Sequence, residues 1–139
     1  MVDRVVNAFN TTPGCDYASN TLDRTYPRGL DTEVLSNGLL QQMHREAQTE
    51  AQREHVTPFI YQQPERFQII QVTQANGANH AHERWTVDTP EDFELIQHIL
   101  NAFSPEITRF SMADVLALLD THPQWRELNA HIEQKKVGV

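Results

Sequence analysis

The sequence predicts an α/β or α+β class, and three observations lead to it. Short segments rich in β-branched and aromatic residues alternate with stretches whose apolar residues recur at helical spacing. The clearest unit joins an expected strand over residues 84–87 to a helix opened by Thr89-Pro-Glu-Asp92. The composition, 39% hydrophobic and 22% charged over 139 residues, is that of a globular chain of one domain with a core of its own.

Taken in order, Val2, Val5, Val6 and Phe9 share a helical face, and Pro13-Gly14 ends that helix. A short strand is expected over residues 16–20, then a loop through Thr25-Tyr-Pro-Arg-Gly-Leu30, then a second strand over 32–35. Ser36 suits the N-cap of a helix that turns Leu39, Leu40, Met43 and Ala47 inward. Thr49-x-x-Gln52 has the pattern of a capping box, and Pro58 breaks or kinks the helix it opens. Residues 67–72 read as a strand, and the adjacent Ile69 and Ile70 require apolar cover on both faces. Residues 74–79, with two Asn and a Gly, form a turn.

After the strand at 84–87, Thr89 can cap, Pro90 fits the first helical position, and Glu91 and Asp92 complement the helix dipole. Phe93, Ile96, Leu100 and Phe103 are expected to pack this helix onto a sheet. Ser111 caps a further helix with Val115, Leu118 and Leu119 inward, and Trp125, Leu128 and Ile132 mark a last short one.

Charge and cysteine content exclude several classes. A net charge of −8 argues against nucleic-acid binding, because the nine Arg are scattered and the two Lys, Lys135 and Lys136, lie in the tail. No apolar run approaches the roughly 20 residues that span a bilayer, so no membrane partner is expected. The opening Met1-Val-Asp-Arg lacks the pattern of a secretory signal. Cys15 is the single cysteine, so no disulfide forms within the chain, and the expected location is the cytoplasm.

Glycine is too sparse for a phosphate cradle: Gly14, Gly29, Gly38, Gly77 and Gly138 stand alone. Cys15, followed by Asp16 with no activating neighbour, reads as a structural thiol. His80-x-His82-Glu83 is either a polar loop or a pair of imidazoles able to ligate a metal, with no third and fourth ligand at diagnostic spacing. Asp88 stands where a strand passes into a helix, so it is a cap or a carboxylate that reaches a metal–phosphate group. Tyr26-Pro-Arg-Gly-Leu-Asp-Thr-Glu33 is either ordinary turn chemistry or a binding loop. In the second case Arg28 holds a phosphate or carboxylate, and Asp31 or Glu33 accepts sugar hydroxyls.

Four blocks in order carry a family resemblance. They are Asp16-Tyr-Ala-Ser-Asn-Thr21, Pro27-Arg-Gly-Leu-Asp-Thr-Glu-Val34, Arg53-Glu-His-Val-Thr-Pro58 and Arg84-Trp-Thr-Val-Asp-Thr-Pro-Glu-Asp92. The tail His122-Pro-Gln-Trp-Arg-Glu-Leu-Asn-Ala-His131 adds to them, so the likeness runs from about Val2 to Gln134. Together they resemble the spore coat polysaccharide biosynthesis cytidylyltransferases, relatives of the acylneuraminate and KDO cytidylyltransferases.

The resemblance implies part of a nucleotide-diphospho-sugar transferase fold, a Rossmann-like α/β arrangement of a mixed sheet with flanking helices. It implies transfer of CMP from CTP to a sugar or sugar phosphate, with Mg²⁺ on the triphosphate. Asp88 matches a metal-ligating position, and Arg28, Asp31 and Glu33 match the sugar-side loop. Arg53, Glu54 and His55 match a block near the sugar pocket and subunit contact. A homodimer built through the segment around residues 32–72 is implied as well. The family's glycine- and arginine-rich CTP loop and its mid-chain metal aspartate are not among these residues. The chain is therefore expected to form one domain, the C-terminal, sugar-binding half of such an enzyme, inactive alone. The alternatives are a non-catalytic, self-associating remnant of the fold, or an unrelated acidic α/β domain.

Overall fold

Tyr17 and Ala18 are successive residues without exposed surface, and their side chains leave the backbone on opposite sides. They form the middle of a three-stranded mixed sheet. Tyr17–Ser19 (β1) pairs antiparallel with Glu33–Leu35 (β2) and parallel with Ile69–Gln71 (β3), in the order β2-β1-β3. The register sets Leu35, Tyr17 and Ile69 in one row and Val34, Ala18 and Ile70 in the next. The first row packs with Leu39, Met43, Phe59, Ile60 and Phe67, the second with Val5, Phe9 and Val72. Apolar cover lies on both faces, as the Ile69-Ile70 doublet requires.

This computed structural model describes residues 1–103 and 109–133. Gln134, Lys135, Lys136 and Gly138, named above, lie outside them. The chain forms two compact units, one holding Met1–Tyr26 and Asp31–Asn79, the other Pro27–Leu30 and His80–Gln134.

In the first unit, Val2–Thr11 (α1) turns Val5 inward, while Val2 and Val6 stay exposed. Its stripe runs through Val5, Ala8 and Phe9 at i, i+3 and i+4, which leaves Val6 beside it. Ser36 caps Asn37–Glu46 (α2) by accepting the Leu39 N–H at 3.1 Å. Leu39, Met43 and Ala47 follow at four-residue spacing and are buried, so Leu40, about 100° round the helix, is exposed, not inward. Thr49 and Gln52 exchange both capping-box bonds, at 3.2 and 3.3 Å, at the start of Glu50–Glu54 (α3). Pro58 then opens a separate turn, Pro58–Tyr61 (α4).

The second unit is helical where a strand was expected. Residues 84–87 make one parallel bridge, Arg28 with Arg84, through Arg28 N–H to Glu83 O (3.0 Å) and Trp85 N–H to Arg28 O (2.8 Å). The partner segment closes on itself through Leu30 N–H to Pro27 O at 3.2 Å, so the ladder ends after one rung. Pro90–Phe103 (α5) packs on Met112–Thr121 (α6) through Leu95, Ile99, Val115 and Leu119, and not on a sheet. The buried positions on α5 are Asp92, Leu95 and Ile99, and Phe93 and Leu100 are 56% and 49% exposed. Ser111 and Asp114 form a capping box at the start of α6. Pro123–Arg126 (α7) brings Trp125 against the same cluster. Among the described residues no helix is long and apolar enough to cross a membrane.

Two glycines with positive φ separate backbone strain from close approach. Gly77 (φ 70°) has open space where a Cβ would stand, whereas at Gly29 (φ 96°) a Cβ would lie 2.3 Å from the Trp85 carbonyl oxygen. In urea denaturation, Gly77→Ala should cost about 1 kcal/mol, the strain alone. Gly29→Ala should cost at least about 3 kcal/mol, because the bridged backbone must also move.

Candidate functional site

The block that opens α5 converges on Asp92, whose side chain is fully buried and accepts five hydrogen bonds. Arg84 grips it in a fork, Nε to Oδ1 at 2.9 Å and Nη2 to Oδ2 at 2.8 Å. Thr86 Oγ1 (2.8 Å), the Asp88 N–H (3.1 Å) and Asn129 Nδ2 (2.8 Å) supply the others. Asn129 also donates to the Arg84 carbonyl at 2.9 Å, so the fork is held from both ends. Burial alone would raise the Asp92 carboxyl. The bonds from Arg84, Asn129, Thr86 and the Asp88 N–H outweigh it and hold the group well below the usual carboxylate range.

Asp88 itself stands outside this knot. Its carboxylate is 63% exposed and accepts from Arg84 Nη2 at 3.2 Å, while the cap of α5 is Thr89, whose hydroxyl accepts the Asp92 N–H at 3.2 Å. Among the described residues no group of three or more His, Cys, Asp or Glu side chains is arranged to hold a metal ion. Asp88 is thus a single carboxylate already paired with a guanidinium, and these residues do not on their own make up a Mg²⁺ ligand set.

Beside the knot, a polar cleft of about 390 Å³ is lined by Arg28, His82, Glu83, Arg126 and Asn129, among others. Glu83 is a buried carboxylate held by Arg126 Nε at 2.6 Å and Trp85 Nε1 at 3.3 Å, and Arg126 reaches Asp120 at 2.9 Å. The cleft offers fixed donors and one fixed carboxylate, a combination suited to a small hydroxylated or anionic molecule. Sequence reasoning quoted Arg84, Arg126 and Asn129 in their blocks, but read Asp92 only as a dipole partner and His82-Glu83 as a loop. No local spacing links residues 84, 92 and 129, and only the fold brings them together.

The other expected site residues belong to the first unit. Asp31 is held bidentately by Arg24, with the Nη2–Oδ2 contact at 2.9 Å. Glu33 accepts the Tyr17 phenol O–H, and burial, then that carboxylate, pushes the phenol well above its ordinary value. Arg53 donates to the Ala47 carbonyl at 3.0 Å and closes the end of α2. With His44 and Arg45 it rims a pocket of about 640 Å³ floored by Leu40, Met43 and Val56, and among the described residues no carboxylate lines it. Glu54 and His55 are exposed and lie off this pocket. His80 and His82 sit with ring centres 6.4 Å apart. Cys15 is partly buried against the Val5–Ala18 cluster, and burial, with Asp16 beside it, raises its thiol.

No protein-family model matches the chain. An uncharacterized protein of Methanocaldococcus jannaschii is 30% identical over 107 residues, which cover 77% of this chain and 43% of that protein. A cytidylyltransferase from Leptospira borgpetersenii serovar Hardjo-bovis has the same fold with a TM-score of 0.79 at 23% identity, over 96% of this chain and 54% of that one. The chain spans about half the length of the proteins it matches. Its fold is the nucleotide-sugar transferase type, with a mixed sheet and flanking helices.

The Asp92 knot sets an acid limit on stability. The folded state holds this carboxyl below its unfolded value, so its contribution is complete above the ordinary range near pH 4 and is lost as pH falls through the folded value. Asp92→Asn should flatten the fall of urea midpoint between about pH 5 and pH 2 by close to one proton. Asp92→Ala, which leaves Arg84 without its fork, should cost about 3–5 kcal/mol at pH 7. A variant with the wild-type acid slope would refute the assignment.

Proposed function

We propose that the chain supplies the sugar-binding part of a nucleotidyltransferase that moves CMP from CTP to a sugar or sugar phosphate for surface polysaccharide synthesis. The observation that carries this reading is the fold, shared over nearly the whole chain with a cytidylyltransferase. Its support in the residues is the cleft holding Arg28 beside Glu83 and Arg126. There Arg28 orients a phosphate or carboxylate of the sugar, while Asp31 and Glu33 mark the sugar-side loop. The sugar oxygen attacks the α-phosphorus as the bond to the pyrophosphate oxygen breaks. The nucleotide is gripped by groups outside these 139 residues, because no glycine-rich loop here offers a row of backbone N–H donors to a triphosphate. Asp88, the exposed carboxylate at the start of α5, is the residue of this chain that faces a metal–triphosphate in the full reaction.

A second reading, a non-catalytic interaction module on the same fold, is favoured by the engagement of Asp31, Glu33 and Asp88 with Arg24, Tyr17 and Arg84. A panel of sugar phosphates in a thermal-shift assay separates the two. The sugar-binding reading expects at least one to raise Tm, and Arg28→Ala to cancel the rise without changing the Tm of the free protein. A flat panel would favour the interaction module. Calorimetry of the chain with CTP and Mg²⁺ should show weak binding or none, and micromolar affinity would contradict the division of labour proposed here.

A further inference from the structure

The sheet ends at β3 on an edge that carries none of the features by which edge strands are protected. Printed along the β1 side are Gln68 O, which accepts the Tyr17 N–H at 3.3 Å, and Val72 N–H, which donates to Ser19 O at 2.7 Å. Peptide groups alternate along a strand, so Gln68, Ile70 and Val72 face β1, while the N–H and C=O groups of Ile69 and Gln71 point away from the sheet. Among the described residues nothing pairs with that outer row. Residues 67–72, Phe-Gln-Ile-Ile-Gln-Val, contain no charge, no proline and no glycine. Native edges are usually blunted by lysine, proline or a bulge. Ile69 and Ile70 remain half-exposed although each packs against an apolar cluster, one on either face. The opposite edge differs, since β2 carries the exposed Glu33.

We propose that the β3 edge is a strand-addition site and that its occupant is β3 of a second copy of this chain. The argument for a second copy is self-complementarity. The protein carries −8 overall, so two copies repel unless they meet where charge is absent, and these six residues are such a place. A two-fold axis through Ile70 sets Ile69 opposite Gln71 of the other copy, and Gln71 opposite Ile69. Both are outward-facing residues, so each pair exchanges two backbone hydrogen bonds, while Ile70 meets Ile70 side by side. Ile69 then lies beside a Gln71 side chain on the face of the larger apolar cluster. Leu22 is exposed and donates its backbone N–H to the Gln71 side chain at 3.1 Å, which extends the apolar strip along the same edge. The product is one continuous six-stranded sheet. This inference is independent of the nucleotidyl-transfer reading.

Proline at Gln71 tests it, because the Gln71 N–H faces outward. Such a substitution blocks strand addition and leaves the β1–β3 ladder its bonds. Light scattering at tens of micromolar should show a dimer for the wild type and for Gln71→Ala, and a monomer for Gln71→Pro with an unchanged circular dichroism spectrum. A monomeric wild type would overturn the proposal, and would leave the edge to a strand of some other polypeptide. A Gln71→Pro protein that still dimerises would overturn it as well. Should Gln71→Pro fail to fold, hydrogen exchange on the wild type decides. The Ile69 and Gln71 amides should exchange at least about tenfold more slowly at high than at low protein concentration, since association protects them by mass action. Concentration-independent exchange at both amides would sink the idea.

Discussion

A carboxylate without solvent must find its solvation inside the protein, and the second unit is built around that requirement at Asp92. An ionised group in an apolar interior is tolerable only when its lone pairs are filled. Asp92 fills them with a guanidinium fork, a hydroxyl, a backbone N–H and a side-chain amide. Each donor comes from a different part of the unit, so satisfying one charge fixes the start of α5, the extended segment before it and the chain beyond α7 together. Hydrophobic burial of Leu95, Ile99, Val115 and Leu119 supplies attraction without direction, and the knot supplies the register.

The same logic explains why Asp88 is the visible acid and Asp92 the structural one. Both sit in one turn of sequence beside Arg84, yet one is 63% exposed and the other fully buried. A buried charge with all its acceptors used has nothing left for a ligand. An exposed carboxylate with a single contact has coordination to spare. In the first unit a similar division separates Glu33, which engages the buried Tyr17, from the pocket rimmed by Arg45 and Arg53.

Local chemistry was legible in the sequence, and long-range chemistry was not. Ser36, the Thr49–Gln52 pair, Thr89 and Ser111 cap as read, because a cap is decided within four residues. The Ile69-Ile70 doublet announced a strand covered on both faces, since side-chain alternation is a property of the strand itself. The expected strand at 84–87 failed because β propensity says nothing about partners, and only the four residues around Arg28 were there to pair with it. Leu40, Phe93 and Leu100 were placed inward because apolar spacing defines a stripe only to within one position, and Asp92 took a place in it that a sequence reader gives to a hydrophobe. The family resemblance anticipated the fold class that the TM-score bears out.

The short excursion of Pro27–Leu30 into the second unit has a consequence for how the chain is made. Arg28 and Gly29 are translated long before Glu83 and Trp85, the residues against which they close. On a ribosome the sheet of the first unit can assemble while this small clip dangles without its counterpart. The second unit cannot be expressed intact as a fragment beginning at His80, because a piece of its wall is encoded upstream, among the residues of its neighbour.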